Sequence, residues 1–459
     1  MTSMITRLAP RPPDVGYTRV AVAQFHYNPA AVVSEASYLE QPFGIETIWA
    51  KVPAHRANFQ DIARRRRELG IRLRALYLEQ IAAKLTALAE HCAAWGCSLL
   101  VLPEYSVPPE SLRSVMQASG AMTTVLGTHY VEAVRTRGTF YPDLGVTSLE
   151  PGHAIAIVSS GGSVIGSQLK MQRSKWEPDV RCATNWSPIQ HAALGPLGPL
   201  GILICIDALN DRHDSFAQLV QPHLRDTALL AVPSHTPDGS RVEFEQALRT
   251  EASRHGRPVA YANYAGGGGT TVYIENANTG EAFPLGVPTL DSGCEGIVIV
   301  DVDLELNRPR DSRLTRMDHR PVARPIAAAQ LIYRADQAGR DYYIALDEIV
   351  AATTLNPLVD ALRSHSDRLH TAASSLGGPT VGRILDLVDK LDVVDDVERV
   401  LGRLRDVFMP NEVLSPVMLR NAMLDVADAE TALWSGDREV YNFVAECRSQ
   451  LQAARNEAL

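Results

Sequence analysis

Leu200-Gly-Ile-Leu-Ile-Cys-Ile-Asp207 is an apolar run that stops abruptly at a thiol and then a carboxylate. A short apolar run with β-branched residues reads as a buried strand. A thiol where such a strand ends has rigid support behind it and open space in front. Free cysteine is also among the most commonly buried residues and often only packs, so Cys205 alone decides nothing. Two other charged residues sit at comparable points. Glu104 follows the apolar Leu99-Leu-Val-Leu-Pro103, and Lys170 ends Ser163-Val-Ile-Gly-Ser-Gln-Leu-Lys170. Acid, amine and thiol each sit at a strand end, the residue types of a proton carrier, a charge stabiliser and a nucleophile.

Around this stretch, short apolar runs alternate with amphipathic stretches from residue 18 to 305. That alternation predicts a layered α/β fold. Strands are predicted at 19–25, 98–103, 122–128, 153–158, 163–168, 200–205, 227–232, 258–263, 271–275 and 296–303. Leu73, Leu76, Ile81, Leu85, Leu88 and Cys92 recur at three- to five-residue steps and predict a helix before Glu104. Residues 26–72 read as an insertion. Its Arg64–Arg67 run reads either as an anion patch or as a solvated helix face flanked by Asp61 and Glu68, and the solvated face is the simpler reading.

With 459 residues the length favours more than one domain. The first is placed at 1–310. Residues 311–325, in a Pro- and Arg-rich stretch with no period, read as a linker. From 326 to 459 the pattern is helical: Val381, Ile384, Leu385, Val388, Leu391, Val397, Val400, Leu401, Leu404 and Phe408 trace one stripe, and Gly377-Gly378-Pro379, Pro410 and Pro416 punctuate it. This all-α C-terminal domain of unknown role carries no chemical motif and reads as a module for oligomerisation or for docking a protein partner.

The formal charge is −9 and the pI near 5.8, against a nucleic-acid partner. The six cysteines are scattered without the spacing of a disulfide framework or a zinc site. The N-terminus lacks an apolar signal region and no apolar run reaches 18 residues, so a cytoplasmic protein with no membrane span is expected.

The ordered Glu104, Lys170 and Cys205, with Ile206-Asp207 completing an "ICxD"-like elbow, resemble the nitrilase (carbon-nitrogen hydrolase) superfamily. Val20-Ala-Val-Ala-Gln-Phe25 is similar to that family's first strand. Ala247-Leu-Arg-Thr-Glu251, Val259-Ala-Tyr-Ala-Asn263 and Gly266 to Gly269 are similar to its late helix–strand–glycine segment, and Thr279-Gly280 to the turn of its closing hairpin. The resemblance covers about two thirds of the chain. It implies a four-layer α-β-β-α sandwich, no metal and no organic cofactor, and association into homo-oligomers.

By that resemblance Cys205 is the nucleophile and Glu104 the general base, and Lys170 with the backbone N–H of Ile206 stabilises the oxyanion. A neighbouring ammonium is expected to lower the thiol pKa towards neutrality. Glu177, seven residues after Lys170, matches the family's second glutamate near the substrate amine. Lys175 competes with Lys170 for the lysine role. His235, in Val232-Pro-Ser-His235, follows a strand that ends near the site in the family, and either positions substrate or is structural.

Nitrilases proper usually carry Trp-Glu after the nucleophile. Ile206-Asp207 places the resemblance with the amidase and carbamoylase branches instead. No P-loop follows residue 310, as an ammonia-fed synthetase would need, and the lipoprotein acyltransferases need membrane helices. The expected reaction is therefore hydrolysis of a linear carboxamide or N-carbamoyl compound through a cysteinyl thioester, releasing ammonia. The alternative is a nitrilase-like sensor or effector whose helical domain binds a protein partner and gates or replaces catalysis.

Overall fold

The computed structural model describes residues 3–5, 12–13, 15–27, 78–79, 81–130, 149–174, 177, 180–209, 220–255, 257–274, 287, 289–304 and 323–332. The chain divides into two compact units, Met1–Glu35 with Tyr77–Asp336, and Ala36–Leu76 with Gln337–Leu459. Every described residue lies in the first. The Arg64–Arg67 run, Lys175, Thr279-Gly280 and the apolar stripe 381–408 lie outside the described residues.

Among the described residues twelve strands form two mixed sheets. They are β1 (Ser3–Ile5), β2 (Thr18–Gln24), β3 (Leu99–Val101), β4 (Thr123–Tyr130), β5 (Ala154–Ser160), β6 (Ser163–Leu169), β7 (Leu200–Ile202), β8 (Leu229–Pro233), β9 (Val259–Ala262), β10 (Thr271–Tyr273), β11 (Gly296–Val302) and β12 (Ala323–Ile332). One sheet has the order β1-β12-β11-β2-β3-β4-β5-β6 and the other β10-β9-β8-β7. All ten predicted strands fall on β2 to β11.

The strand β12 departs from expectation. Helix was expected from residue 326, yet Ala323–Ile332 pairs antiparallel with both β11 and β1. The linker and helical boundaries at 325 and 326 are therefore corrected: the sheet continues to Ile332, and 333–459 lies outside the described residues. The Pro- and Arg-rich composition of 307–325 concealed a strand whose partners are the distant β11 and the N-terminal β1.

Alternation along β2 shows how the layers are specified. Val20 and Val22 join Leu99, Val101 and Val125 of their own sheet and Leu230, Val232 and Val259 of the other in one core. Ala21 and Ala23 are equally buried but point to the opposite face, as strand periodicity requires. The helix α1 (81–94) buries Ile81, Leu85, Leu88, Ala89 and Cys92 along one stripe. It stops where Gly96 takes the left-handed φ of +69°, a usual glycine role at a helix end. A short α2 (Leu112–Ala118) follows, and α3 (Arg241–His255) packs on β9 and β10.

A buried ion pair ties β2 to β11: Arg19 Nε donates to Asp301 Oδ1 at 2.7 Å and its Nη2 to Oδ2 at 3.0 Å. The runs β2-β3-β4 and β7-β8-β9 are each parallel, and ligands of such sheets gather outside the carboxyl ends of the strands. Those ends carry Glu104, Cys205, Ser234 and Asn263.

Candidate active site

The strand β3 delivers Glu104 through a tight exit. Leu102 N–H bonds Val125 O at 2.9 Å, and Ser106 N–H bonds Gly127 O at 3.1 Å. A Cβ on Gly127 would lie 2.0 Å from Pro103 O, so only glycine lets β4 come this close. Tyr105, next to the glutamate, holds φ at +57°, and Cys205 holds +49°. Left-handed φ is uncommon for residues with a Cβ and clusters at functional sites; here it falls on the nucleophile candidate and on the neighbour of the base candidate. Cys205 opens a 3-10 turn (Cys205–Ala208) two residues after β7, so the strand is shorter than the predicted 200–205.

Lys170, at the end of β6, is 1 % exposed. Its Nζ donates to Glu104 Oε1 at 2.7 Å and to Glu177 Oε1 and Oε2 at 2.7 and 2.8 Å. All three ammonium protons are thus engaged by two carboxylates. Glu177 also accepts from Tyr105 Oη at 2.5 Å and Ser174 N–H at 3.0 Å, so its acceptor sites are filled. The structure brings Glu104, Lys170, Glu177 and Cys205 together, with Ile206 beside the thiol in the 3-10 turn.

One positive and two negative charges leave this buried cluster short of a proton. Burial, the stronger effect, and the nearby Glu177 charge push Glu104 up to about 7, against the pull of Lys170. Burial also disfavours the Lys170 ammonium, but Glu104, Cys205 and Glu177 together hold its pKa above the usual value. Glu177 is penalised by burial too, and Lys170 and Tyr105 keep it below the usual carboxylate range. When the two carboxylates take up a proton, Glu104 is therefore the one that accepts it.

The expectation of a thiol lowered towards neutrality is not met. Burial and the Glu104 charge push Cys205 up to about 12, outweighing Lys170, the Ser234 hydroxyl and the His235 backbone N–H. The resting group is a neutral thiol, and a base must take its proton before it can attack.

Further residues, to which sequence reasoning gave no role, hold this arrangement. Asp207 is fully buried and accepts from Gln172 N–H at 2.8 Å, Met171 N–H at 3.1 Å and Ile204 N–H at 3.3 Å. It locks the cysteine turn to the segment after Lys170. Burial pushes its carboxyl up to about 7, opposed by Lys170 and those N–H groups. On the other side, Thr236 Oγ1 lies 3.6 Å from Cys205 Sγ and 2.5 Å from Ser234 Oγ. Asn263 clamps Thr236 by both backbone groups, accepting its N–H at 2.8 Å and donating to its O at 3.0 Å. The signals in the chain were the place of Asp207 two residues after Cys205 in the elbow and the positions of Thr236 and Asn263 just after β8 and β9.

His235 borders the same site. Its ring stacks on Tyr264 with centroids 4.1 Å apart, and its Nδ1 lies 2.9 Å from Tyr27 Oη. Tyr27 Oη in turn donates to Glu104 O at 2.5 Å. Among the described residues no group of three or more His, Cys, Asp or Glu could hold a metal ion, and no helix is long and apolar enough to cross a membrane.

No family model matches the chain, and no curated protein matches it. Solved structures similar to it include an amidase from Nesterenkonia sp., at 17 % identity and TM-score 0.41, covering 66 % of this chain and 97 % of that one. Another is a cysteine-to-serine mutant of the Nesterenkonia AN1 amidase from the nitrilase superfamily, at 17 % identity and TM-score 0.40, covering 65 % and 96 %. A third is a mutant of the Nesterenkonia sp. AN1 amidase with the acetamide moiety of fluoroacetamide on its active site cysteine, at 16 % identity and TM-score 0.39, covering 68 % and 99 %.

Proposed function

We propose that this chain is a thiol-dependent hydrolase of non-peptide C–N bonds, of the nitrilase superfamily and its four-layer α-β-β-α fold. Its substrates are linear carboxamides or N-carbamoyl compounds, cleaved through a cysteinyl thioester with release of ammonia. The observation that carries this reading is the buried Lys170 ammonium held 2.7 Å from both Glu104 and Glu177 beside a thiol at a left-handed turn. Two carboxylates around one ammonium are costly to bury, and a packing role for Cys205 requires neither.

In this mechanism Glu104, ionised, takes the Cys205 proton while sulfur attacks the substrate carbonyl carbon. A base poised near the working pH is the efficient choice. Once protonated, Glu104 no longer holds a Lys170 N–H strongly, and that donor turns to the oxyanion together with the Ile206 N–H. A preorganised donor of this kind is worth a factor of about 10²–10³. The tetrahedral intermediate collapses as Glu104 returns its proton to the leaving amine, giving ammonia and the thioester. Glu104 then takes a proton from water, whose oxygen attacks the thioester, and the sulfur leaves with a proton. Glu177, its acceptors already filled, acts by holding Lys170.

Ammonia release from small amides, N-carbamoyl compounds and nitriles tests the reading. The wild-type chain is expected to release ammonia and Cys205→Ala to release none. Release that survives in Cys205→Ala would overturn the assignment.

A further inference from the structure

The hydrogen bonds around His235 determine which of its nitrogens carries the proton. Tyr27 has one hydroxyl proton and donates it to Glu104 O at 2.5 Å, because a carbonyl can only accept. The contact at 2.9 Å between Tyr27 Oη and His235 Nδ1 must then run the other way, with Nδ1–H as donor. Nε2 therefore presents a lone pair. Among the described residues no hydrogen bond to Nε2 accompanies that of Nδ1, and the residue is only partly buried.

Burial, followed by the Lys170 charge, lowers His235 to about 4, with Glu177 acting in the opposite sense. The ring is thus neutral at physiological pH. Its backbone N–H favours the Cys205 thiolate and the next residue, Thr236, lies 3.6 Å from that sulfur, which places His235 at the nucleophile. Of the carboxylates nearby, Glu177 is occupied by Lys170, Tyr105 and Ser174 and Asp207 by three backbone N–H groups, while Glu104 is the base.

We propose that His235 Nε2 is the acceptor that recognises an N–H of the substrate, selecting an uncharged amide or ureido group that carries at least one hydrogen over its N,N-dialkylated counterpart. This rests on Cys205 being the nucleophile. A neutral imidazole that accepts a hydrogen bond offers nothing to a carboxylate at that point, and Tyr264 stacked on the ring holds the lone pair in one direction. Sites built to bond an N–H reject analogues lacking it, because their own polar group is left unpaired.

The test alkylates Cys205 and follows that cysteine alone by peptide mass spectrometry. The probes are iodoacetamide and 2-iodo-N,N-dimethylacetamide. In both, sulfur displaces iodide, the S–C bond forms and the thiol proton passes to Glu104. Free cysteine supplies the intrinsic rate ratio of the two reagents. Wild-type Cys205 is expected to favour iodoacetamide beyond that ratio by roughly threefold to tenfold, the worth of one hydrogen bond.

Two variants separate recognition from support of Tyr27. In His235→Asn the amide N–H replaces Nδ1–H towards Tyr27 and the Nε2 acceptor is gone, so the preference is expected to vanish. In His235→Gln the side-chain oxygen reaches the Nε2 position, so the preference is expected to persist even though the Tyr27 bond is lost. The reverse pattern, or a preference unchanged in His235→Asn, would overturn the proposal while leaving Cys205 as the nucleophile. A Cys205 that reacts with neither reagent in the wild-type chain would overturn the nucleophile assignment and this inference with it.

Discussion

Glu177→Gln removes one negative charge from the site while keeping the side chain's size and one acceptor oxygen. Glu104 Oε1 and Glu177 Oε1 each lie 2.7 Å from Lys170 Nζ, so the two oxygens are no more than about 5 Å apart. At an effective dielectric constant of about 20, two like charges at that separation repel by about 3 kcal/mol, equivalent to about two pH units. The same substitution leaves Lys170 to pair with Glu104 alone, which acts in the same direction.

Glu104 starts at about 7, raised by burial and by Glu177. Its ionised form is the one that accepts the thiol proton, so wild-type reactivity of Cys205 should climb as pH rises through about 7. In Glu177→Gln the climb should move down to roughly pH 5, by the repulsion just given. Iodoacetamide labelling of Cys205 between pH 4 and 9, read by peptide mass spectrometry, needs no substrate and reports this limb directly. A limb that stays in place, or that moves to higher pH, would refute the coupling between the two carboxylates.

Asp207→Asn swaps one acceptor oxygen for an NH2 group facing the backbone N–H groups of Met171, Gln172 or Ile204. It should lower stability by roughly 2–3 kcal/mol in urea unfolding and slow Cys205 labelling, since the turn and the Lys170 segment come apart; a stability change below about 0.5 kcal/mol would remove Asp207 from that role. Gly127→Ala brings a methyl 2.0 Å from Pro103 O and must push the Glu104 segment away. Labelling of Cys205 at pH 7.5 should fall at least about tenfold, the equivalent of 1.4 kcal/mol, and a variant that labels like wild type would show that β4 gives way instead.

Much of this protein is readable along the chain, because local patterns state local facts. Apolar runs set between amphipathic stretches marked ten of the strands, since a strand buried on both faces, as β2, β5 and β11 are, reads as a continuous apolar run. Glu104, Lys170 and Cys205 could be named because each sits at a punctuation point of that pattern, and Glu177 by its distance from Lys170 in the family the chain resembles. Three matters were decided only in three dimensions. Ala323–Ile332 became a strand because β11 and β1 offered it two ladders, a long-range pairing that no local propensity encodes.

The Asp207 side chain reaches backbone N–H groups 35 and 36 residues away and that of Asn263 the backbone of Thr236, 27 residues away, so neither contact has a local spacing to recognise. The proton inventory of the site is likewise tertiary. Lys170 in sequence promised an acidic thiol, but burial beside a carboxylate reversed the sign and left the thiol neutral, with Glu104 near 7 as its base. Residue type supplies the groups; depth and neighbours set their charges, because desolvation and Coulomb energies depend on distances that only the folded chain creates.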